Sequence, residues 1–396
     1  MVFCPMKICL MNNRIFIWLI LLFLVFSKSN GQDSVSLSKD KITFKGQLSA
    51  YTHINPENKL PWWNGGRYIP QLNYEHGLNN NKLIDFEASA NLYGNMGIRP
   101  FDSTGFNGDI KPYRLWARYS TPQIELRAGL QKINFGSASI LRPLMWFDQI
   151  DPRDPLKLTD GVWGVLARYY FLNNANIWLW GLYGNDNLKG WESLNSEKHT
   201  PEFGGRFQTP LPKGEAGFSF HHRTTDCSSL SDSTVIYGKV PENRFGFDAK
   251  FDIVVGCWLE ASWSKYGEDL GIYSSQEIIN LGMDYTFGIG NGLTITYEQL
   301  MASFDEHPFE FNNSITFSLL NFTYPVSMFD NLSAIIYYDW TNNKIYNFVN
   351  WQRQFNKLTF FLMGYINPKE YNIPTQRPDE ILYAGTGIQL MLVFNH

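Results

Sequence analysis

From Ile42 to the end of the chain, apolar and polar residues alternate with a period of two. Ile84, Phe86, Ala88, Ala90 and Leu92 alternate with Asp85, Glu87, Ser89 and Asn91. Ile124, Leu126, Ala128 and Leu130 do the same, as do Phe245, Phe247, Ala249 and Phe251. Successive side chains of a strand point to opposite faces, so each run predicts a strand with one oily and one wet face. Soluble antiparallel sheets share that alternation. Two further features separate them from this chain. The polar face carries charges, while the apolar face ends in aromatics such as Tyr74, Tyr119, Trp163, Tyr285 and Trp340. The connections also alternate in length. Asn79-Asn80-Asn81, Ser120-Thr121-Pro122, Asn173-Asn174, Leu211-Pro212-Lys213 and 288–292 are tight. Between them lie longer links at 53–66, 95–111, 133–160, 186–200, 224–242, 267–276, 303–313 and 368–380.

Short turns at one rim, long loops at the other and aromatic girdles around a wet lumen describe a transmembrane antiparallel β-barrel. The pattern predicts strands near 42–53, 67–76, 82–94, 112–119, 123–132, 161–172, 175–185, 201–210 and 214–223. Nine more follow near 243–252, 256–266, 277–288, 292–302, 314–325, 331–340, 346–354, 357–367 and 380–394. The count is 18, with both ends of the sheet on the short-turn side. Segments 314–325 and 346–354 alternate poorly, and without them the count is 16. A ring of that size encloses an aqueous channel, not a packed interior.

The first 31 residues read as a separate object. Lys7 and Arg14 precede an unbroken apolar run of twelve residues, Ile15 to Phe26, and Ser29-Asn30-Gly31 offers small residues for cleavage. A membrane-spanning helix needs about 20 apolar residues, so 1–31 is expected to be a signal peptide and 32–396 a single barrel domain. Removing the segment leaves 30 basic against 37 acidic residues. That balance excludes a nucleic-acid partner, which needs a basic excess to neutralise phosphates. The aromatic content of 16% excludes disorder. Beyond the segment only Cys227 and Cys257 remain, at opposite ends of the expected barrel, so two free thiols are predicted.

The link 133–160 follows the fifth strand and is the third on the long side. It reads Gly136-Ser137-Ala138-Ser139-Ile140-Leu141-Arg142-Pro143 and then Trp146-Phe147-Asp148-Gln149-Ile150-Asp151-Pro152-Arg153-Asp154-Pro155. Its prolines and hydrophobic centre predict an ordered loop packed against something, and loops this long are usually functional. The stretch Arg127-Ala128-Gly129-Leu130-Gln131-Lys132-Ile133-Asn134-Phe135-Gly136 resembles Gram-negative outer-membrane porins, most nearly the carbohydrate and alginate-export type. In such porins an Arg-x-Gly-x-Gln strand leads into a loop that folds into the lumen and narrows it. The resemblance covers the leading segment, the strand rhythm and this motif. It departs at the end, where Asn395 and His396 follow Phe394 although porin chains usually finish on an aromatic residue. It implies an inward-folded third extracellular loop, an outer-membrane bilayer as surroundings, and insertion by barrel-assembly machinery.

The expected register points Arg114, Arg118, Arg127, Arg168, Arg206, Arg223 and Arg244 into the lumen on neighbouring strands. A guanidinium wall in a confined pore attracts anions or sugar carboxylates. The same arginines also suit a structural network with Glu125, Glu202, Glu215, Asp248 and the loop acids. Arg142, Asp148, Asp151, Arg153 and Asp154 would shape the constriction opposite that wall. Trp62 and Trp63, in the first long link, suit stacking on sugar rings or simple girdle packing. No catalytic trio, metal set or cofactor motif emerges; His221 and His222 are adjacent and so face opposite sides of a strand.

The function expected is therefore a non-enzymatic channel for passive diffusion of small polar or anionic solutes, including saccharides. The rival is a plugged barrel that holds surface polysaccharide without conducting. A third reading, a soluble secreted sugar-cleaving enzyme, predicts solubility without detergent.

Overall fold

The computed structural model describes residues 40–78, 81–230, 238–369 and 383–396, and the expected signal peptide 1–31 lies outside them. The first nine strands are β1 (Asp40–Ile54), β2 (Trp62–Leu78), β3 (Lys82–Arg99), β4 (Ser103–Ser120), β5 (Ile124–Gln131), β6 (Val162–Tyr170), β7 (Asn176–Leu182), β8 (Glu202–Leu211) and β9 (Gly214–Asp226). The other nine are β10 (Lys239–Asp252), β11 (Gly256–Tyr266), β12 (Ser275–Phe287), β13 (Leu293–Asp305), β14 (Ser314–Pro325), β15 (Asp330–Asp339), β16 (Lys344–Phe355), β17 (Leu358–Ile366) and β18 (Thr386–Asn395). Each pairs antiparallel with its neighbours in sequence, and β1 pairs β18 from Gln47↔Asn395 to Ile54↔Ile388. The sheet is a closed ring of 18 strands, with no edge left to present unpaired amides to lipid.

The register sorts the side chains. Phe218, Leu179, Leu281, Val165 and Leu392 all point outward and are more than half exposed. Such residues recur right round the ring, far beyond the few hundred Å² of apolar patch that a soluble monomer shows. Acyl chains are the surroundings that suit this surface. Tyr74, Tyr119, Trp163, Tyr285 and Trp340 lie on the same outer face. Cys257 is exposed on it and Cys227 is buried, both as free thiols.

Two expectations need correction. The segment 95–111 is not a long loop: β3 and β4 run to 18 residues each and meet in a turn at 100–102. Their ladder survives because a bulge between Ser89 and Ala90 leaves Tyr113 as an extra residue. The bulge switches the inward set of β4 from Arg118, Trp116 and Arg114 to Lys111 and Asp109, so both halves keep charges inside. Trp62 and Trp63 likewise belong to β2, not to a loop. The expected strands at 314–325 and 346–354 are both present despite their weak alternation, and the count is 18. Their inward residues Phe317, Leu319, Tyr346 and Phe348 are buried in an apolar cluster inside the ring. That cluster makes part of the inner face of β14 and β16 apolar as well, which weakens the contrast between their two faces.

Candidate functional site

Something must cover the apolar interior, and the cover is the segment 132–161. Strand β5 stops after 8 residues, so the chain leaves the wall while β4 runs on beside it, and turns into the lumen. Ile133, Phe135, Leu144, Trp146 and Phe147 pack on Val162, Leu166, Trp180 and Leu182 of the inner wall. Across the lumen, Leu141 joins the cluster on β12–β17.

Two buried carboxylates fasten this loop. Glu298 on β13 accepts the backbone N–H groups of Ser139, Ile140 and Leu141 at 2.8, 3.1 and 2.6 Å. Glu260 on β11 accepts those of Ala138 and Leu144 at 2.8 and 2.7 Å. Gly136 has φ +109 and lies against Glu260, where an added Cβ would come within 2.4 Å of the carboxylate. Only glycine combines that backbone with that approach. Asn280 donates to the Leu141 carbonyl, and the Trp146 indole donates to Ser262 at 2.9 Å. The loop therefore hangs on the β11–β13 wall by its own amides.

The expected constriction residues mostly hold the loop together. Arg142 pairs with Asp148 at 3.0 Å and also donates to Asn134 and the Phe135 carbonyl. Arg153 forks onto Asp151 at 2.8 and 2.5 Å, and its guanidinium lies over Tyr383 and Phe348. Asp154 accepts the backbone N–H groups of Leu156 and Leu158. Burial pushes the Asp148 carboxyl up despite the Arg142 charge, and burial likewise raises Asp154.

A second inward loop, 183–201, was not anticipated. Its Trp191 indole donates to the Arg142 carbonyl at 2.9 Å, and Gln276 donates to the Trp191 carbonyl at 3.0 Å. Gly190 has φ +46, and an added Cβ would meet the Met145 carbonyl oxygen at 1.8 Å, so the two loops interlock there.

The seven arginines fall into two groups. Arg206 forks onto Asp248 at 2.5 and 3.0 Å. Arg223 and Arg244 both pair with Glu242 and Glu192 at 2.5–3.0 Å. These three side chains are 2, 0 and 4% exposed under the loops, so they brace the wall and do not face a pore. The other wall is wetter. Arg118, Arg127 and Arg168 are 27, 15 and 16% exposed; the three share Glu125, and Arg118 also pairs with Asp85. Arg118 and Arg127 lie 5.4 and 4.8 Å from the Trp116 ring, and Arg168 lies 3.8 Å from that of Trp178. Arg114 donates to the carbonyls of Tyr113 and Thr159, and among the described residues it has no carboxylate within ion-pair reach. Lys132 has none either, and burial lowers its pKa despite the Asp148 charge.

Trp62 and Trp63 do not form a joint platform. Trp62 points outward and donates to Thr52 at 2.9 Å, while Trp63 points inward against Gly97. Sequence reasoning also missed Glu260, Glu298, Asp85, Glu192 and Glu242. Their one signal is an acid at an inward strand position, or beside a loop tryptophan, with no base next to it in sequence.

This geometry has counterparts among solved structures. OccAB1 of Acinetobacter baumannii is 7% identical, with 91% of this chain and 97% of that one covered and a TM-score of 0.58. OpdQ of Pseudomonas aeruginosa is 10% identical over 91% of this chain and 99% of that one, with a TM-score of 0.54. OmpT, an outer membrane protein of Vibrio cholerae, is 11% identical over 91% of this chain and all of that one, with a TM-score of 0.50. The fold is that of an outer-membrane porin. At such low identity the likeness concerns architecture alone. No family model and no curated relative matches the sequence.

Proposed function

We propose that the protein is a passive channel of the Gram-negative outer membrane for small polar solutes, favouring anions and anionic saccharides. One observation carries the reading. The loop 132–161 hangs on Glu260 and Glu298 at one side of the ring, while Arg118, Arg127 and Arg168 opposite keep several times the exposure of Arg206, Arg223 and Arg244. A solute passing on that side meets Arg118, Arg127, Arg168, Arg114 and Lys132 against the three carboxylates of Asp85, Glu125 and Glu87. Tryptophans flank the guanidinium groups there, and stacked aromatic faces suit sugar rings. The chemistry requires no catalytic group, only a lined gap and fixed charge. The saccharide preference rests further on the Arg-x-Gly-x-Gln strand that enters the loop.

A second reading is a plugged barrel that holds surface polysaccharide. It is favoured by the interlocked loops 132–161 and 183–201, whose buried residues fill much of the interior. Single-channel recording of the purified protein in a planar bilayer separates the two. Discrete ion currents, reduced by uronate-type oligosaccharides, support the channel; a folded protein that inserts and stays silent supports the plug.

A further inference from the structure

On the largely apolar outer face of the ring, the long-loop rim carries a cluster of buried polar side chains. There Ser275 and Glu277 of β12 and Ser303 and Asp305 of β13 all point outward. Ser275 stands directly opposite Asp305, and Glu277 opposite Ser303, so the four side chains form a square. Facing side chains across a ladder have Cβ atoms about 5 Å apart, and diagonal ones remain within reach of longer side chains. All four are at most 2% exposed, although they look away from the lumen.

The turn 306–313 helps to cover them. It folds outward over the sheet and sets the Phe309 ring 5.1 Å from that of Trp263 on β11. Phe309 and Phe311 have φ of 64° and 57°, a region that non-glycine residues rarely occupy. The strained turn gives its backbone to the acids. Asp305 Oδ1 accepts the N–H groups of Asn312 and Asn313 at 3.2 and 3.1 Å, and its Oδ2 accepts the Ser303 hydroxyl at 2.5 Å. Glu277 Oε1 accepts the Ser275 hydroxyl at 2.6 Å and the Phe309 N–H at 3.2 Å.

The remaining oxygen, Glu277 Oε2, is shut away from solvent and has no hydrogen-bond partner among the described residues. Neither acid is in an ion pair with a described base. Lys265, opposite Ser275 on β11, is exposed and reaches neither. Two buried carboxylates thus share a site without a counter-charge, and a buried charge needs a partner or a metal. No further acid, histidine or cysteine joins them to make a set of three. The donors on offer are carboxylate and hydroxyl oxygens. Each serine hydroxyl gives its proton to a carboxylate and keeps a lone pair; that of Ser275 also accepts the Trp263 indole N–H at 3.1 Å.

We propose that this square binds a divalent cation of the calcium class, with Glu277 and Asp305 as its anionic ligands and Ser275 and Ser303 as neutral ones. An all-oxygen set on two rigid strands, completed by water or turn carbonyls, suits the irregular six to eight ligands of calcium better than the strict octahedron of magnesium. The ion would supply the missing charge and pin the turn 306–313 to the rim, independently of what passes through the pore.

Trp263 makes the test specific, because an indole beside the site sensitises terbium bound there. The full-length protein in detergent is titrated with terbium under tryptophan excitation. The expected result is sensitised emission that calcium displaces and an equal concentration of magnesium does not. Glu277→Gln should abolish it, whereas Glu310→Gln, an exposed acid of the same turn, should leave it intact. Trp263→Phe keeps every ligand, so it should lose the emission yet retain calorimetric calcium binding, which guards against misfolding of the Glu277 variant. Absence of Trp263-dependent emission, or emission that survives Glu277→Gln, overturns the proposal.

Discussion

The attachment of the loop 132–161 is open to direct perturbation. Glu298→Ala removes the acceptor of three backbone N–H groups, those of Ser139, Ile140 and the buried Leu141. A hydrogen bond to a charged group contributes about 1.5–3 kcal/mol net, so three lost bonds amount to roughly 4.5–9 kcal/mol. Against this, the substitution ends the burial of an anion that has no cationic partner, which relieves several kcal/mol. The Glu260 bonds, the Asn280 amide and the Trp146 indole stay in place. The net weakening of docking is on the order of 3–5 kcal/mol, or about 10²–10^3.5-fold in the released population at 1.4 kcal/mol per tenfold. Ala138 is only 7% exposed in the docked loop, so Ala138→Cys reports release through its reaction with a water-soluble thiosulfonate. With Cys227 and Cys257 replaced by alanine, the modification rate should rise by that factor on adding Glu298→Ala. The ring itself should stay folded, as judged by its mobility on unheated detergent gels. An unchanged rate in a folded barrel would refute the idea that these amides hold the loop.

The two groups of arginines predict opposite phenotypes. Arg244→Ala leaves Glu242 and Glu192 buried with only Arg223 between them, which should cost about 3–5 kcal/mol of unfolding free energy, seen as a lowered denaturant midpoint, while leaving ion selectivity unchanged. The double change Arg114→Ala with Lys132→Ala should do the reverse: little loss of stability, and a reversal potential shifted away from anions in a salt gradient. Acidity should tighten the loop. Burial raises Asp148 and Asp154 in the docked form, and a released loop returns them to ordinary values. The docked form then holds the proton more tightly, so docking strengthens as pH falls through the raised range and gains nothing below the ordinary carboxylate value of about 4. A spin label at Lys157→Cys should lose mobility on acidification, with a smaller change in Asp154→Asn; mobility that increases on acidification contradicts the assignment.

The sequence made the ring legible and the lumen only in part, for a physical reason. Alternation reports a difference between two faces, and lipid outside against water inside gives the strongest difference wherever the inner wall is wet. Strands β3 and β5 are of that kind, and the observed strands fall close to the predicted ones. Where a loop covers the inner wall the contrast disappears, which is why β14 and β16 read poorly. The long link 95–111 was misread because its glycines and polar residues look like a loop, while the register of a tall hairpin with a bulge is invisible without its partner strand. The inward position of the seven arginines follows from parity. Their partners follow only in part: Glu242 lies two residues before Arg244 on the same face of β10, whereas Glu192 reaches Arg223 and Arg244 from the loop 183–201. The loop 133–160 announced itself by length and prolines, whereas 183–201 showed only a tryptophan among polar residues.

The pairing of β1 with β18 has a consequence for how this chain is made. Every other ladder joins neighbours in sequence, but this seam unites residues as much as 348 positions apart, as in the Gln47–Asn395 contact. Chain entropy penalises such closure only weakly, by about 0.6 kcal/mol for each doubling of the span, yet long-range pairing is slow. Until the seam zips, β1 and β18 are two raw margins that would pair with any strand offered. The nascent ribbon is at its most vulnerable in that interval, and whatever shepherds it must guard two strands that lie at opposite ends of the message.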